Sequence, residues 1–202
     1  MTPTPSPLQT YLNTFAAEAE RAVAGLDRDA LSQAAQLIID AKQTHNRLHL
    51  AGIGKPSYIA GYGASLISST GTPAYVLDGT EAVHGSAGQL VEGDVVILLS
   101  NSGETAELLA TAHAARNNGA VLIAITGNPD SSLARLAAVH IKAAVEAEGG
   151  PLNRAPRTSI MAELLVVQAL SVVLQADVDL SPDEYVKRHP GGALGQLRED
   201  EK

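Results

Sequence analysis

The chain has 202 residues, enough for a full hydrophobic core, and its 45% apolar share is that of a globular protein. A net charge of −8 and an aromatic share of 3% with no Trp argue against a nonspecific nucleic-acid binder and against a base-stacking platform. The absence of cysteine excludes disulfides, thiolate nucleophiles and thiolate zinc sites.

The first residues, M-T-P-T-P-S-P, lack the basic-then-apolar order of a signal peptide. The apolar runs further on are interrupted short of a membrane span, so a cytoplasmic protein with no membrane partner is expected. Residues 1–7 read as a loose arm. From Leu8 to Ala24 the pattern is helical, and Asp27 is placed to cap a second helix running to about Thr44. The rhythm then changes, with apolar runs at Arg47–Ala51, Thr72–Leu77, Asp94–Ser100, Ala120–Thr126 and Ala138–Val145. Helical stretches at Pro56–Thr70 and Glu104–Asn118 lie between some of them. Strands joined by crossovers of this length predict an α/β fold whose five-stranded parallel sheet is covered on both faces.

An irregular stretch from Glu146 to Arg157 follows, and Thr158 then opens a helix to about Ala176 that is apolar on nearly all sides. Such a helix is expected to be buried, in the core or at a subunit contact. Ser181-Pro182-Asp183-Glu184 reads as one more helix start, before a glycine-rich tail from His189 to Gly195. No linker divides the chain, so one domain over 1–202 is expected: helices in 8–45, then a core and tail in 46–197.

Two glycine loops carry the chemistry. The first, A-G-I-G-K-P-S (Ala51–Ser57), partly matches a dinucleotide fingerprint, with Asp78 as a possible ribose partner. Ser57 stands where the third glycine belongs and Lys55 adds a cation that the fingerprint does not need. The second loop, S-N-S-G-E-T (Ser100–Thr105), joins a buried strand to a helix. A helix N-terminus there gathers free N–H groups and the positive dipole end. Ser100, Ser102 and Thr105 add hydroxyls and Gly103 allows close approach, which suits a phosphate monoester. An ordinary N-cap would need one hydroxyl only.

The strand–S-N-S-G-E-T–helix unit resembles the phosphosugar loop of the sugar isomerase (SIS) domain, and the likeness runs from Arg47 to Leu197. It sharpens toward the D-arabinose 5-phosphate isomerase branch on G-I-G-K (Gly52–Lys55), S-T-G-T-P-A (Ser69–Ala74), E-A-V-H-G (Glu81–Gly85), S-N-S-G-E-T-A-E (Ser100–Glu107), I-T-G-N-P-D-S-S-L-A (Ile125–Ala134) and H-P-G-G-A-L-G (His189–Gly195). The resemblance implies a three-layer αβα sandwich, doubly wound and flavodoxin-like, and a homotetramer with sites shared between subunits. It implies Ser100, Asn101, Ser102, Gly103 and Thr105 around the phosphate, and Gly54, Ser57 and Ser69 on the sugar. Lys55 would balance developing charge, His84 would be catalytic, and Glu107 would form the enediol. His189 would shuttle a proton, in a neighbouring subunit's cleft if the tail reaches there; the roles of Glu107 and His189 can be exchanged. No cofactor and no metal are expected, since an enediol route requires neither, although His84, His189 and a carboxylate could ligate zinc.

Two departures stand out. The branch often reads K-S-G-H where this chain has K-P-S-Y (Lys55–Tyr58), and C-P-L-G-L-A-P-T-T-S where it has G-P-L-N-R-A-P-R-T-S (Gly150–Ser159). The added Arg154 and Arg157 would suit a longer or more acidic sugar if they faced it. Many relatives continue into a pair of regulatory cystathionine-synthase-type modules, and a short form without them is expected. The competing readings are an isomerase of another phosphosugar, a non-catalytic sugar-phosphate sensor, and a nicotinamide enzyme.

Overall fold

The computed structural model describes residues 6–201. The expected loose arm lies mostly in 1–5, outside the described residues, and Ser6 and Pro7 already belong to a helix start. The Ser6 hydroxyl accepts the Gln9 N–H at 3.1 Å, and Pro7 opens α1 (Pro7–Ala24). Asp27 caps α2 (Arg28–Gln43) by accepting the Ala30 N–H at 2.9 Å.

Five strands then form one sheet: β1 (Leu48–Gly52), β2 (Ala74–Val76), β3 (Val95–Leu99), β4 (Val121–Thr126) and β5 (Val139–Lys142). Their order is β2-β1-β3-β4-β5 and every neighbouring pair is parallel. The register aligns Leu50, Ile97 and Ile123 in one row and Ala51, Leu98 and Ala124 in the next. Because successive side chains point to opposite faces, the two rows feed two cores. The first row packs with α2, with α3 (Lys55–Ser69) and with α6 (Thr158–Val178). The second packs with α4 (Ala106–Asn117) and α5 (Ser132–Leu136). Each fully buried Leu or Ile in these rows contributes roughly 1.5–3 kcal/mol.

The expected sandwich is therefore present, with differences at its margins. β2 is only three residues long and sits at the sheet edge; β5 stops at Lys142, three residues before the apolar run ends. Two 3₁₀ turns, Glu81–His84 and Ser86–Gln89, and the short α5 were not expected, being too short for a periodic signal.

Helix α6 corrects one expectation. It is long and apolar enough by length and composition to cross a membrane, whereas the runs were read as interrupted. In the fold it packs against α3, α2 and α1. Part of its surface is open in the single chain, Val172 being 66% exposed, while Ser159 and Glu163 are buried. Among the described residues neither oxygen of the Glu163 carboxyl, nor the Ser159 hydroxyl, has a hydrogen-bond partner. Burial, reinforced by the nearby Glu148 charge, pushes the Glu163 carboxyl up to about 8.

The stretch between β5 and α6 is held by two other acids. Glu18 of α1 pairs with Arg21 at 2.6 Å and accepts the Ala147 N–H at 3.0 Å. Burial works to raise its pKa, but Arg21 and the N–H donors outweigh it. Glu148 caps α6, accepting the N–H groups of Arg157 at 2.5 Å and Ser159 at 3.3 Å.

Candidate active site

In a parallel sheet ligands sit at the carboxyl ends of the strands, where the strand order reverses. Here that point lies between β1 and β3, from which α3 and α4 leave to opposite faces. The loops after β1, β2 and β3 all end at this edge, and they carry most of the residues singled out in the sequence.

After β1 the chain turns at once into α3. A side chain on Gly52 would meet the Pro56 carbonyl and the Ser57 nitrogen at 2.8 Å, so only glycine allows so tight a turn. Lys55 is the first residue of α3 and is exposed. Gly54 precedes it as the cap residue, and the Ser57 hydroxyl donates back to the Gly54 carbonyl at 2.6 Å. A cavity of about 330 Å³ opens beside this turn, lined by Gly54, Ser57, Asp78 and Thr80 among others.

After β2, the Asp78 carboxylate accepts the N–H groups of Thr80 at 2.8 Å and Glu81 at 2.9 Å. Those bonds, Glu81 first, hold its carboxyl below the ordinary range. The turn leads into Glu81–His84, which leaves His84 exposed. The Thr111 hydroxyl of α4 lies 2.5 Å from the Gly79 carbonyl and 3.0 Å from the carbonyl of Glu107. It ties the β2 loop, and with it His84, to the helix that bears Glu107. Nothing in the sequence marks Thr111 except its place one turn beyond Glu107.

The third loop, Ser100–Thr105, has its hydroxyls turned toward one another. Ser100 Oγ is 3.1 Å from Thr105 Oγ1 and accepts the Gly103 N–H at 3.1 Å; the Ser102 hydroxyl accepts the Glu104 N–H at 3.2 Å. Gly103 has φ +67°, and a side chain on it would collide with Ser131. Thr105 stands at the N-cap of α4, yet no side chain caps that helix. The N–H groups of its first turn are left facing the loop, the arrangement that binds anions. Asn101 is exposed at the mouth, and Glu107 is exposed in the first turn of α4.

Two predicted residues are not brought here. Ser69 ends α3, fourteen residues on from Lys55, and its hydroxyl is spent on the Leu66 carbonyl at 2.9 Å. This corrects the expectation that it touches the sugar, because α3 carries it roughly 20 Å away. His189 follows α7 (Pro182–Arg188), its ring stacked on Tyr185 at 4.0 Å and its Nδ1 2.9 Å from the Tyr185 carbonyl. Tyr185 lines a cavity of about 450 Å³ with Leu66, Thr70 and Gln175, at the far ends of α3 and α6. Within one chain, His189 is thus at the opposite edge of the sheet from Lys55. Of the two added arginines, Arg157 folds onto its own loop, its guanidinium against Gly150 and 3.4 Å from the Ala155 carbonyl. Arg154 is exposed.

A model of the SIS domain family matches residues 42–173, well over half of the chain. The chain belongs to the SIS domain family. The chain is 36% identical, over 193 residues, to the arabinose 5-phosphate isomerase KdsD of Pseudomonas aeruginosa, covering 90% of this chain and 58% of that protein. Against the arabinose 5-phosphate isomerase KdsD of Escherichia coli K12 the identity is 41% over 145 residues, covering 72% of this chain and 44% of that protein. The chain therefore spans about half the length of these curated relatives. Among solved structures, the E. coli CFT073 protein c3406 in complex with A5P superposes with a TM-score of 0.81 at 33% identity, covering 91% of this chain and 95% of that one. The five-stranded parallel SIS fold is thereby shared with a phosphosugar-bound structure.

Proposed function

We propose that the chain is an aldose–ketose isomerase that interconverts D-arabinose 5-phosphate and D-ribulose 5-phosphate through an enediol. One observation carries the reading: the uncapped N-terminus of α4, ringed by the hydroxyls of Ser100, Ser102 and Thr105, lies at the same sheet edge as Lys55, His84 and Glu107. The relatives' names and identities of 33–41% support the choice of sugar.

The phosphate sits on the loop of Ser100, Asn101, Ser102, Gly103 and Thr105, with the dipole of α4 behind it. Glu107, in the first turn of that helix, takes the proton from C2 of the aldose and returns it to C1, as a base that reaches neighbouring carbons must. Lys55 balances the negative charge that develops on the enediol oxygens. His84 exchanges protons with those oxygens. Gly54 and Ser57 border the sugar. His189 enters from a neighbouring subunit, because its own chain holds it at the wrong edge; exposed Tyr58, Tyr62 and Val172 on α3 and α6 supply apolar surface for such contacts. A homotetramer in the cytoplasm, built on a single domain with its core in 46–197, goes with this reading.

The test is turnover of a panel of aldose phosphates of four to seven carbons. Conversion of D-arabinose 5-phosphate at a kcat/KM well above the others is the expected result. Preference for another sugar would replace the substrate, and binding without turnover would replace the enzyme by a sensor.

A further inference from the structure

Helix α5 begins immediately beside the loop Ser100–Thr105, and the two are joined by more than packing. The first four N–H groups of a helix lack partners within it. Here the Ser132 N–H donates to Glu104 Oε1 at 2.7 Å and the Leu133 N–H to the Gly103 carbonyl at 3.1 Å. The other two, from Ala134 and Arg135, go to the hydroxyl and the carbonyl of Ser131 at 3.2 and 3.1 Å. Half of the donors at the start of α5 are therefore satisfied by the loop. A third link joins the Gly127 N–H to the Asn101 carbonyl at 2.9 Å. Of these three links, only the one through Glu104 uses a side chain of the loop.

Glu104 is exposed, and its carboxyl is held below the ordinary range first of all by the Ser132 N–H. Its oxygen is engaged by the start of α5, whereas Glu107 is exposed in the first turn of α4. Gly103, its neighbour, is in the left-handed region and packs against Ser131 with no room for a side chain. The loop's own bonds run only among Ser100, Ser102, Gly103, Glu104 and Thr105, so its placement against α5 depends on the links just described.

We propose that Glu104 is the positioning residue of the phosphate loop, a carboxylate latch onto the first N–H of α5 that keeps the loop hydroxyls and the first turn of α4 aimed at one point. The inference rests on reading this loop as the phosphate anchor. It separates two acids three residues apart: Glu107 meets the sugar, and Glu104 acts only through the loop.

The latch can be removed from either side. Glu104→Ala deletes the acceptor, whereas Glu104→Gln keeps an oxygen that accepts the same N–H. Ser132→Pro deletes the donor, together with the Ser132 hydroxyl that accepts from Arg135 Nη2 at 3.3 Å, and Ser132→Ala, which keeps the N–H, is the control for that hydroxyl. Ser132 is the first residue of α5, where proline is tolerated, and Ser131 has ψ 158°, which suits a residue before proline. With D-arabinose 5-phosphate as the probe, KM and the dissociation constant should both rise roughly tenfold in Glu104→Ala and Ser132→Pro, the loss of about one hydrogen bond to a charged group. The shape of the kcat–pH profile should not change, and Glu104→Gln should stay within about threefold of wild type. If Glu104→Ala and Ser132→Pro bind like wild type, or if Glu104→Gln loses kcat as badly as Glu104→Ala, the latch is wrong. A wild-type chain that neither binds nor converts the probe sinks the functional reading instead, and the same variants tested with inorganic phosphate then judge the latch by itself.

Discussion

The hydroxyl oxygens of Ser100 and Thr105 stand 3.1 Å apart across the mouth of the loop that follows β3. They come from opposite ends of a six-residue loop and meet because Gly103 turns it back on itself. On the proposed reading, two hydroxyls converging beside an uncapped helix N-terminus receive one phosphate. Ser100→Ala should therefore raise KM for the sugar phosphate roughly tenfold and leave kcat within about threefold, one lost hydrogen bond to a charged group. Steady-state kinetics decide it, and an unchanged KM would remove Ser100 from the phosphate site.

Gly103 is the pivot of that loop. Gly103→Ala places a methyl group against Ser131 in a backbone region that costs a side-chain-bearing residue roughly 1–2 kcal/mol before any clash. Urea unfolding should show a loss of at least that size, together with weaker phosphosugar binding. A variant as stable as wild type would mean that the loop does not adopt this turn in solution.

The buried acid of α6 gives stability an unusual pH dependence. Glu163 has a folded pKa of about 8 against 4.5 for the free group, so between those values the folded chain holds a proton that the unfolded chain releases. Its contribution is complete below 4.5 and is lost as pH rises through 8. Glu163→Leu should stabilise the protein, on the order of 1–3 kcal/mol, with a larger gain at pH 8 than at pH 5. His49 acts with the opposite sign. Burial lowers its pKa despite the Asp94 carboxylate 3.3 Å from its Nε2, so its contribution is complete above 6.5 and is lost as pH falls below that value. In Glu163→Leu the remaining stability should therefore rise with pH up to about 6.5. Urea midpoints across pH 5–8 measure both effects, and a gain that shrinks toward pH 8 would contradict the Glu163 assignment.

The position of His189 leads to a mixing experiment. If each cleft takes Glu107 from one chain and His189 from another, Glu107→Gln and His189→Ala are each inactive, yet together they can rebuild intact clefts. Subunits unfolded together and refolded at equal amounts should recover about a quarter of wild-type activity, the share of clefts that draw both native residues at random. Recovery no greater than the sum of the two variants would place both groups in one chain.

The sheet was legible because its strands are short apolar runs closed by Gly, Ser, Asn or Asp, a signal that local physics writes directly into residues 48–142. The turn from β3 into α4 was legible for the same reason, since Ser, Gly and Thr mark a tight passage from strand to helix. Contacts between distant parts of the chain were not. Neither the bond from Glu104 to Ser132, 28 positions on, nor the Thr111 clasp on Gly79 leaves a periodic trace. Ser69 was misplaced because a motif does not say which end of its helix faces the ligand. Helix α6 was read by hydropathy alone, which does not show that Glu163 points inward while Val172 points out.

The central claim is an isomerisation in which Glu107 moves a proton between neighbouring carbons. The most direct measurement follows D-arabinose 5-phosphate in D₂O by proton NMR, with wild-type protein and with Glu107→Gln. The expected result is ribulose 5-phosphate carrying deuterium at C1, and a loss of both conversion and exchange of at least about a thousandfold in the variant, as for removal of a catalytic base. Conversion and exchange that survive in Glu107→Gln would contradict it.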